Sequence, residues 1–261
     1  MNSFWQTQSS TKPLFPDIEW NKPEQRTRAG KLAIIGGNKL GFAAVSDAYR
    51  VADDMGAGQI RAVLPDALKK AVPVMITDTL FIPSNISGGF SREALPELVV
   101  AAQWADACLL VGDTGRNSET AMAFEALLGK YSGQLVVTRD AVELFKPVAS
   151  RLVEREKTTL VLSFAQLQKL FQHVYYPKIL SFSMQLLQLV ETLHKFTVTY
   201  PVTIVTFHHN QLIVAHDGHV ITQEFDDPML IWRGVTAARA SAYLLWNPNK
   251  PLEAVAASFL A

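Results

Sequence analysis

The chain is poor in cysteine and carries no excess of charge of either sign. Among its 261 residues Cys108 is the single cysteine, so no disulfide can form within the chain. Lysine and arginine together number 24, as do aspartate and glutamate, and the formal net charge is zero. A balanced chain has no overall field that would attract nucleic acid or an anionic membrane. The sequence therefore predicts no nucleic-acid partner and no membrane partner.

Long apolar runs are also missing, and none approaches the length that a membrane-spanning helix needs. The first ten residues, MNSFWQTQSS, contain no apolar core of the secretory type. With the single cysteine, these features favour a cytoplasmic protein. Residues 1–30 are polar and are expected to form an arm that docks Trp5 and Trp20 on the domain or on a sister subunit. Residues 31–261 are expected to form one α/β domain.

The most informative stretch runs from residue 31 to residue 65. Apolar residues 32–35 predict a buried strand that ends in a glycine turn, and residues 41–55 carry apolar side chains at helical spacing. A second strand is predicted over residues 59–64, so the two strands should be parallel with a right-handed crossover. The glycine turn could hold a phosphate at the helix N-terminus. Alternatively, the glycines could be present only because the turn is tight. The dinucleotide fingerprint G-x-G-x-x-G is absent, which excludes a Rossmann assignment on this motif.

Strands alternate with helices along most of the remaining chain. Residues 72–82 have strand-like apolar content, and residues 179–195 show the spacing of a long helix. Residues 203–225 read as strands joined by tight hairpins. This pattern predicts an α/β fold with a mostly parallel central sheet and antiparallel edge hairpins.

The run IIGGNKLGFAAVSDAYRVADDMGAG resembles the opening of the ADP- or ATP-dependent NAD(P)H-hydrate dehydratases, which belong to the ribokinase-like superfamily. The positions that match are Gly36, Gly37, Gly41, Ala43, Gly56, Ala57 and Gly58, while Asn38 stands where the family usually has serine. The resemblance implies a three-layer α/β/α sandwich, ADP or ATP as ligand, and a homotetramer. It also implies that Gly36, Gly37 and Asn38 contact the nucleotide and that Gly41 contacts the substrate. The residues by themselves indicate no cofactor.

Two later segments resemble family motifs at strand ends. The segment GDTGRNSE beginning at Gly112 is similar to Gly-Pro-Gly-Leu-Gly-Arg, with one residue fewer and Asp113 in place of proline. The resemblance implies that Gly112 and Asp113 border a bound ligand; alternatively this is a plain loop in which Asn117 or Ser118 caps the next helix. Asp140 lies in a segment similar to the family's Asp-Ala-Asp/Gly-Ala-Leu. It could orient a substrate hydroxyl or a hydrated metal, or simply cap a helix that begins at Ala141.

The largest departure lies near the C-terminus, where the family places Gly-Gly-Thr-Gly-Asp at a helix start. The glycines expose amides to phosphate, and the aspartate accepts the proton of the hydroxyl being phosphorylated. The equivalent residues are Ile231 to Val235, of which only Gly234 matches. Val235 stands at the position of the aspartate, Trp232 replaces a glycine, and Arg233 with Gly234 could still attract an anion.

Two further signatures of the family are absent. Ser163–Leu167 stands where relatives have Thr-Pro-His-Pro-Gly-Glu, and Phe207 replaces the lysine of Leu-Lys-Gly. We therefore expect a non-catalytic or repurposed relative that binds a nucleotide or related small ligand, with no catalytic residue assigned. The alternative is an active dehydratase or small-molecule kinase that uses a displaced carboxylate, Asp226 or Asp227.

Four histidines cluster on the predicted hairpins, at positions 208, 209, 216 and 219. They could build a metal site, but no cysteine or carboxylate completes a recognised spacing. We expect no metal and histidines exposed at turns.

Overall fold

A computed structural model describes residues 3–72, 76–227 and 229–260. Its strands are Trp5–Gln8 (β1), Lys31–Gly36 (β2), Gln59–Pro65 (β3), Thr79–Ile82 (β4), Ala107–Gly112 (β5), Gln134–Thr138 (β6), Thr158–Leu162 (β7), Thr203–His208 (β8), Gln211–His216 (β9) and His219–Glu224 (β10). Its α-helices are Ala43–Met55 (α1), Leu95–Trp104 (α2), Ser118–Lys130 (α3), Asp140–Leu144 (α4), Ala149–Glu154 (α5), Phe164–His173 (α6), Leu186–Thr199 (α7), Met229–Trp232 (α8), Val235–Trp246 (α9) and Pro251–Ser258 (α10).

The strands form one 10-stranded sheet in the order β1-β10-β9-β8-β7-β6-β5-β2-β3-β4. From β8 to β4 in that order, each strand pairs in parallel with its neighbour. Strand β9 pairs antiparallel with β8 on one side and with β10 on the other, through hairpins. Strand β5 lies between β6 and β2 and is buried along its whole length, as its apolar sequence ACLLVG requires in a sheet covered on both faces. The predicted α/β fold with a mostly parallel sheet and an antiparallel hairpin edge is confirmed.

Helices cover both faces of the sheet and so produce the predicted three layers. One buried cluster includes Leu98 of α2, Phe124 of α3 and Leu193 of α7. The opposite cluster includes Val45 of α1 and Ala240 of α9. Alternate residues of each strand point to opposite faces, so the continuous apolar strands serve both clusters.

Local sequence signals explain several helix ends. Gly56 adopts a left-handed conformation (φ of 92°) and ends α1, as its glycine predicts. The side chain of Asn117 accepts hydrogen bonds from two amides of the first turn of α3 and caps that helix. Ser163 and Gln166 form a reciprocal capping box at the start of α6.

Some predicted boundaries are wrong. The helix expected over residues 179–195 begins only at Leu186, because the preceding segment turns and uses the Leu180 and Met184 carbonyl oxygens to accept side-chain hydrogen bonds. Within the expected strand 72–82 only Thr79–Ile82 is extended and paired, and residues 73–75 lie outside the described residues. The N-terminal segment contributes β1, which pairs in parallel with β10.

Two further features of the fold bear on the sequence predictions. No helix in the described parts of the chain is long and apolar enough to cross a membrane. Cys108 is buried in β5, and burial raises the pKa of its thiol to about 12. The thiol is therefore neutral at physiological pH and behaves as a small apolar side chain.

Candidate functional site

The candidate site begins with a glycine-rich loop at the carboxyl end of β5, the edge where open α/β sheets bind ligands. Gly112, Asp113 and Gly115 all have positive φ, at 98°, 57° and 72°. A β-carbon on Gly112 would lie 2.3 Å from Asp140 Oδ1, so only glycine fits this close approach. The Gly37 amide donates to the Gly112 carbonyl oxygen at 2.8 Å, which joins the loop to the end of β2.

Asp140 holds this loop in place. Its carboxylate accepts hydrogen bonds from the amides of Asp113 (2.8 Å), Thr114 (3.0 Å) and Gly115 (3.3 Å), and from the Thr114 hydroxyl at 3.3 Å. Helix α4 begins at Asp140 itself, with Arg139 at the cap position, so the suggestion that Asp140 caps a helix starting at Ala141 is wrong. A carboxylate with this many donors is occupied as an acceptor and rigidifies the loop.

Asp113 and Arg139 form an ion pair beside the loop. One oxygen of Asp113 accepts from Arg139 Nη2 at 2.6 Å, and the other accepts from the Ala44 amide at 2.7 Å. The first turn of α1 is therefore neutralised by a carboxylate of the protein itself. Both residues hold positive φ (57° and 56°), a conformation that costs energy for residues other than glycine.

The guanidinium of Arg139 also reaches the segment before α9. Its Nη1 donates to the Trp232 carbonyl oxygen, while the Arg139 carbonyl oxygen accepts from Gln166 Nε2 at 2.6 Å. The Nε atom of Arg139 is buried and has no hydrogen-bond partner among the described residues. A buried cationic donor without a partner is unusual and marks a place where a ligand acceptor would be favourable.

The start of α9 carries no acidic group. Gly234 caps the helix with φ of 84° and no side-chain hydrogen bond, and Val235 is 8% exposed. A β-carbon on Gly234 would lie 3.4 Å from Arg139 Cδ, so the arginine lies directly against this helix entrance. Trp232, which replaces a glycine of the family motif, is 53% exposed.

The carboxylates proposed as replacements lie upstream of α8. Asp227 accepts a hydrogen bond from the Met229 amide at 3.0 Å and is exposed, as is Asp226. Asp227 is thus engaged at the start of α8, a helix that ends before Gly234. Arg233, predicted to attract an anion, is exposed.

A cleft of about 400 Å³ opens beside Arg139, at the carboxyl ends of β6 and β7. Its walls include Arg116, Asp140, Glu143, Lys169 and Trp232. Burial raises the pKa of Glu143, but the ammonium groups of Lys146 and Lys169 more than offset this and hold that pKa below its usual value. Three basic side chains line the cleft against two acidic ones, so the lining has one positive charge in excess, although Lys169 pairs with Glu143 at 3.5 Å and Arg139 pairs with Asp113 at 2.6 Å.

The structure brings together some of the sequence-predicted site residues and separates others. The loop after β5 brings together four of them: Gly36, Gly37, Gly112 and Asp140. The Asn38 side chain is also close, because its Nδ2 lies 3.1 Å from the position that a β-carbon on Gly115 would take. Gly41 has open space around its α-carbon.

Sequence reasoning missed the cationic residues of the cleft, Arg116, Arg139 and Lys169. Arg139 could have been noticed, because it precedes Asp140 at a strand end. Gln166 and Lys169 could also have been noticed, because they are three residues apart on one helix and share a face.

The predicted histidine cluster does not form one site. His208 is buried in β8, donates from Nε2 to the Met184 carbonyl oxygen at 2.7 Å, and stacks on Phe164 with 4.5 Å between ring centroids. His216 instead bonds the Thr203 hydroxyl through Nδ1 at 3.0 Å. The expectation that these histidines are exposed at turns is wrong for His208. In the described ranges, no group of three or more His, Cys, Asp or Glu side chains could hold a metal ion.

The buried His208 predicts a pH dependence of stability. Burial lowers the pKa of His208 below its ordinary value of 6.5, so the unfolded chain takes up a proton at a higher pH than the folded chain. The free energy of unfolding should therefore fall as pH drops from about 7.5 to 5.5. Urea denaturation at both pH values should show a smaller fall for His208→Gln. His219→Gln, at an exposed turn, is the control, and equal falls in all three proteins would contradict the prediction.

Comparison with solved structures shows that this chain has a ribokinase-like fold. A ribokinase-like superfamily protein from Enterococcus faecalis matches with TM-score 0.76 and 15% identity, over 100% of this chain and 87% of that one. An ADP/ATP-dependent NAD(P)H-hydrate dehydratase from Bacillus subtilis, co-crystallised with ATP/Mg²⁺ and soaked with CoA, matches with TM-score 0.64 and 14% identity, over 95% and 86%. Hydroxyethylthiazole kinase from Pyrococcus horikoshii matches with TM-score 0.56 and 13% identity, over 93% and 79%.

These identities are low, and the likeness therefore shows the fold alone. No family model matches the sequence, and no curated protein matches it.

Proposed function

We propose that this protein binds a nucleotide or a related phosphorylated ligand in the cleft beside Arg139 and has lost dehydratase and kinase chemistry. The observation that carries the proposal is the entrance of α9, where Val235 replaces the proton acceptor and Arg139 lies against Gly234. Valine cannot accept a proton, and losing a positioned general base costs about two to four powers of ten in rate.

The cleft supplies the groups that a phosphorylated aromatic ligand needs. Arg116, Arg139 and Lys169 can neutralise phosphate oxygens, and the exposed indole of Trp232 offers a face for a base. The unpartnered Nε of Arg139 would gain an acceptor from such a ligand. The dehydratase neighbour that was co-crystallised with ATP/Mg²⁺ supports a nucleotide as the ligand class.

The first test is turnover. The pure protein is incubated with hydrated NADH and ADP, or with hydrated NADH and ATP, and the absorbance of reduced nicotinamide is followed. We expect no recovery of absorbance above the spontaneous rate. Prompt recovery of absorbance would overturn the proposal. If the Asp226→Asn or Asp227→Asn variant then failed to restore the absorbance, the alternative of a displaced catalytic carboxylate would be supported.

The second test is binding, measured by calorimetry with ADP and with ATP. Removal of the guanidinium in Arg139→Gln should weaken binding about tenfold, because a charge-assisted contact to phosphate is lost. Arg233→Gln is the matched control, since Arg233 is exposed beside the same helix entrance and does not line the cleft. Absence of ADP and ATP binding in the wild type, or equal loss in both variants, would contradict the assignment.

A further inference from the structure

The guanidinium of Arg139 is only half used along the edge formed by its Nε and Nη2 atoms. Nη2 donates to Asp113 Oδ1 at 2.6 Å, whereas the neighbouring Nε is buried and has no hydrogen-bond partner among the described residues. Nε and Nη2 together form the fork with which an arginine binds two oxygens of one carboxylate or phosphate. This edge of Arg139 therefore lacks one oxygen of a bidentate partner.

Asp113 does not complete the fork, because its second oxygen is bound elsewhere. Oδ2 of Asp113 accepts from the Ala44 amide at 2.7 Å, at the start of α1. The Asp113 amide donates to Asp140 Oδ1 at 2.8 Å, and the Asp113 side chain is 20% exposed. The carboxylate of Asp113 is thus held between α1 and Arg139, with one oxygen for each.

The other carboxylates that line the cleft are engaged by other groups. Asp140 accepts from amides of the loop after β5, and Glu143 forms ion pairs with Lys146 and Lys169. In the described part of the chain, Asp113 is the one carboxylate paired with Arg139. A ligand anion that takes both Nε and Nη2 of Arg139 must therefore displace the Asp113 carboxylate from Nη2.

We propose that the ligand of this cleft ends in a phosphate monoester, and that this terminal group displaces Asp113 from Arg139. The inference rests on the proposed function and narrows its ligand class. A singly charged group would only replace one anion by another, so the exchange would gain little. A phosphate monoester carries about −1.5 to −2 charges at pH 7 and three acceptor oxygens, so it binds both Nε and Nη2 and displaces the carboxylate. A phosphodiester, with a single charge, leaves the ion pair in place.

The test compares AMP with cyclic AMP, which has the same base and sugar but a singly charged diester. Calorimetry of the full chain at about pH 7.5, where the monoester is a dianion, should show AMP binding about tenfold more tightly. NMR should show a shift of the Ala44 amide at saturating AMP, because Asp113 loses its contact with Arg139 and changes its hydrogen bond to that amide. Cyclic AMP should leave the Ala44 amide unshifted.

Asp113→Asn removes the charge that the ligand must displace. The variant keeps an oxygen for the Ala44 amide, and asparagine tolerates the positive φ of 57° at this position. AMP should bind about tenfold more tightly to the variant than to the wild type. Asp78→Asn is the matched control, because Asp78 pairs with Arg61 at 3.0 Å and does not line the cleft. It removes the same charge without freeing Arg139, and AMP affinity should stay within about twofold of the wild type.

The outcomes separate this inference from the proposed function. Equal affinities for AMP and cyclic AMP, an unshifted Ala44 amide, or no tightening in Asp113→Asn would overturn the inference while nucleotide binding itself stands. Binding of AMP to Asp113→Asn but of no nucleotide to the wild type would support Asp113 as the competing anion and contradict the proposed function. Absence of AMP, ADP and ATP binding in both proteins would overturn both. The comparison of AMP with cyclic AMP uses the wild type alone, so it decides the question even if Asp113→Asn does not fold.

Discussion

Asp140→Ala is expected to lower the free energy of unfolding by about 3 kcal/mol, since it deletes the acceptor of several amide hydrogen bonds at once. The amides of Asp113, Thr114 and Gly115 would all lose their partner in the loop after β5. Removing the acceptor leaves those donors partly buried and unpaired, which costs more than the hydrogen bonds are worth on their own. Chemical denaturation followed by circular dichroism would measure the effect.

A matched control is available at the other end of the sheet. Asp106 accepts from a single amide, that of Lys31 at 2.8 Å, so Asp106→Ala should cost about 1 kcal/mol. Asp140→Asn keeps one carbonyl oxygen and should fall between the two alanine variants. A loss for Asp140→Ala no larger than that for Asp106→Ala would show that the carboxylate does not hold the loop.

Arg155→Ala is expected to cost about 3 kcal/mol for a related reason at the amino end of β6. Its guanidinium donates to the carbonyl oxygens of Tyr131 at 2.7 Å and Gly133 at 2.7 Å, and to the Thr158 hydroxyl at 3.0 Å. The Arg155 guanidinium therefore joins the loop before β6 to the start of β7. Without it, water could satisfy the two carbonyl oxygens only by entering a partly buried part of the structure.

Arg151 provides the comparison for Arg155. It lies on the preceding helix α5, is exposed, and among the described residues forms one ion pair, with Glu125 at 3.1 Å. Exposed ion pairs contribute little, so Arg151→Ala should change stability by less than about 1 kcal/mol. Arg155→Lys should recover only part of the loss because an ammonium cannot bridge the two carbonyl oxygens in one plane. Equal effects for Arg151→Ala and Arg155→Ala would contradict this account.

Much of the fold could be predicted because its signals are local. The apolar run before Gly36 and the helical spacing up to Met55 predicted β2 and α1 without reference to the rest of the chain. Hairpins β8 to β10 were predicted for the same reason. The start of α7 was missed, since it depends on hydrogen bonds from Gln168 and His208 to the preceding segment.

The candidate site was harder to predict, because its residues come together only across the sheet edge. Sequence comparison indicated Asp113 and Asp140 as ligand-edge residues but could not show that each carboxylate is engaged by the protein itself. Arg139 escaped notice, although it contacts both Asp113 and the Trp232 carbonyl group.

The sequence by itself determined the class of fold, the general alternation of strands and helices, and the absence of an acidic side chain at position 235, because these depend on residue identity and short-range periodicity. Only the tertiary structure decided what lies at the entrance of α9. Residues 93 positions apart in the chain meet there, and the arginine that contacts the Trp232 carbonyl oxygen is placed by the ends of β5 and β6. A hydrogen bond between residues so far apart in the chain depends on their distance in space, which no local pattern of residues encodes.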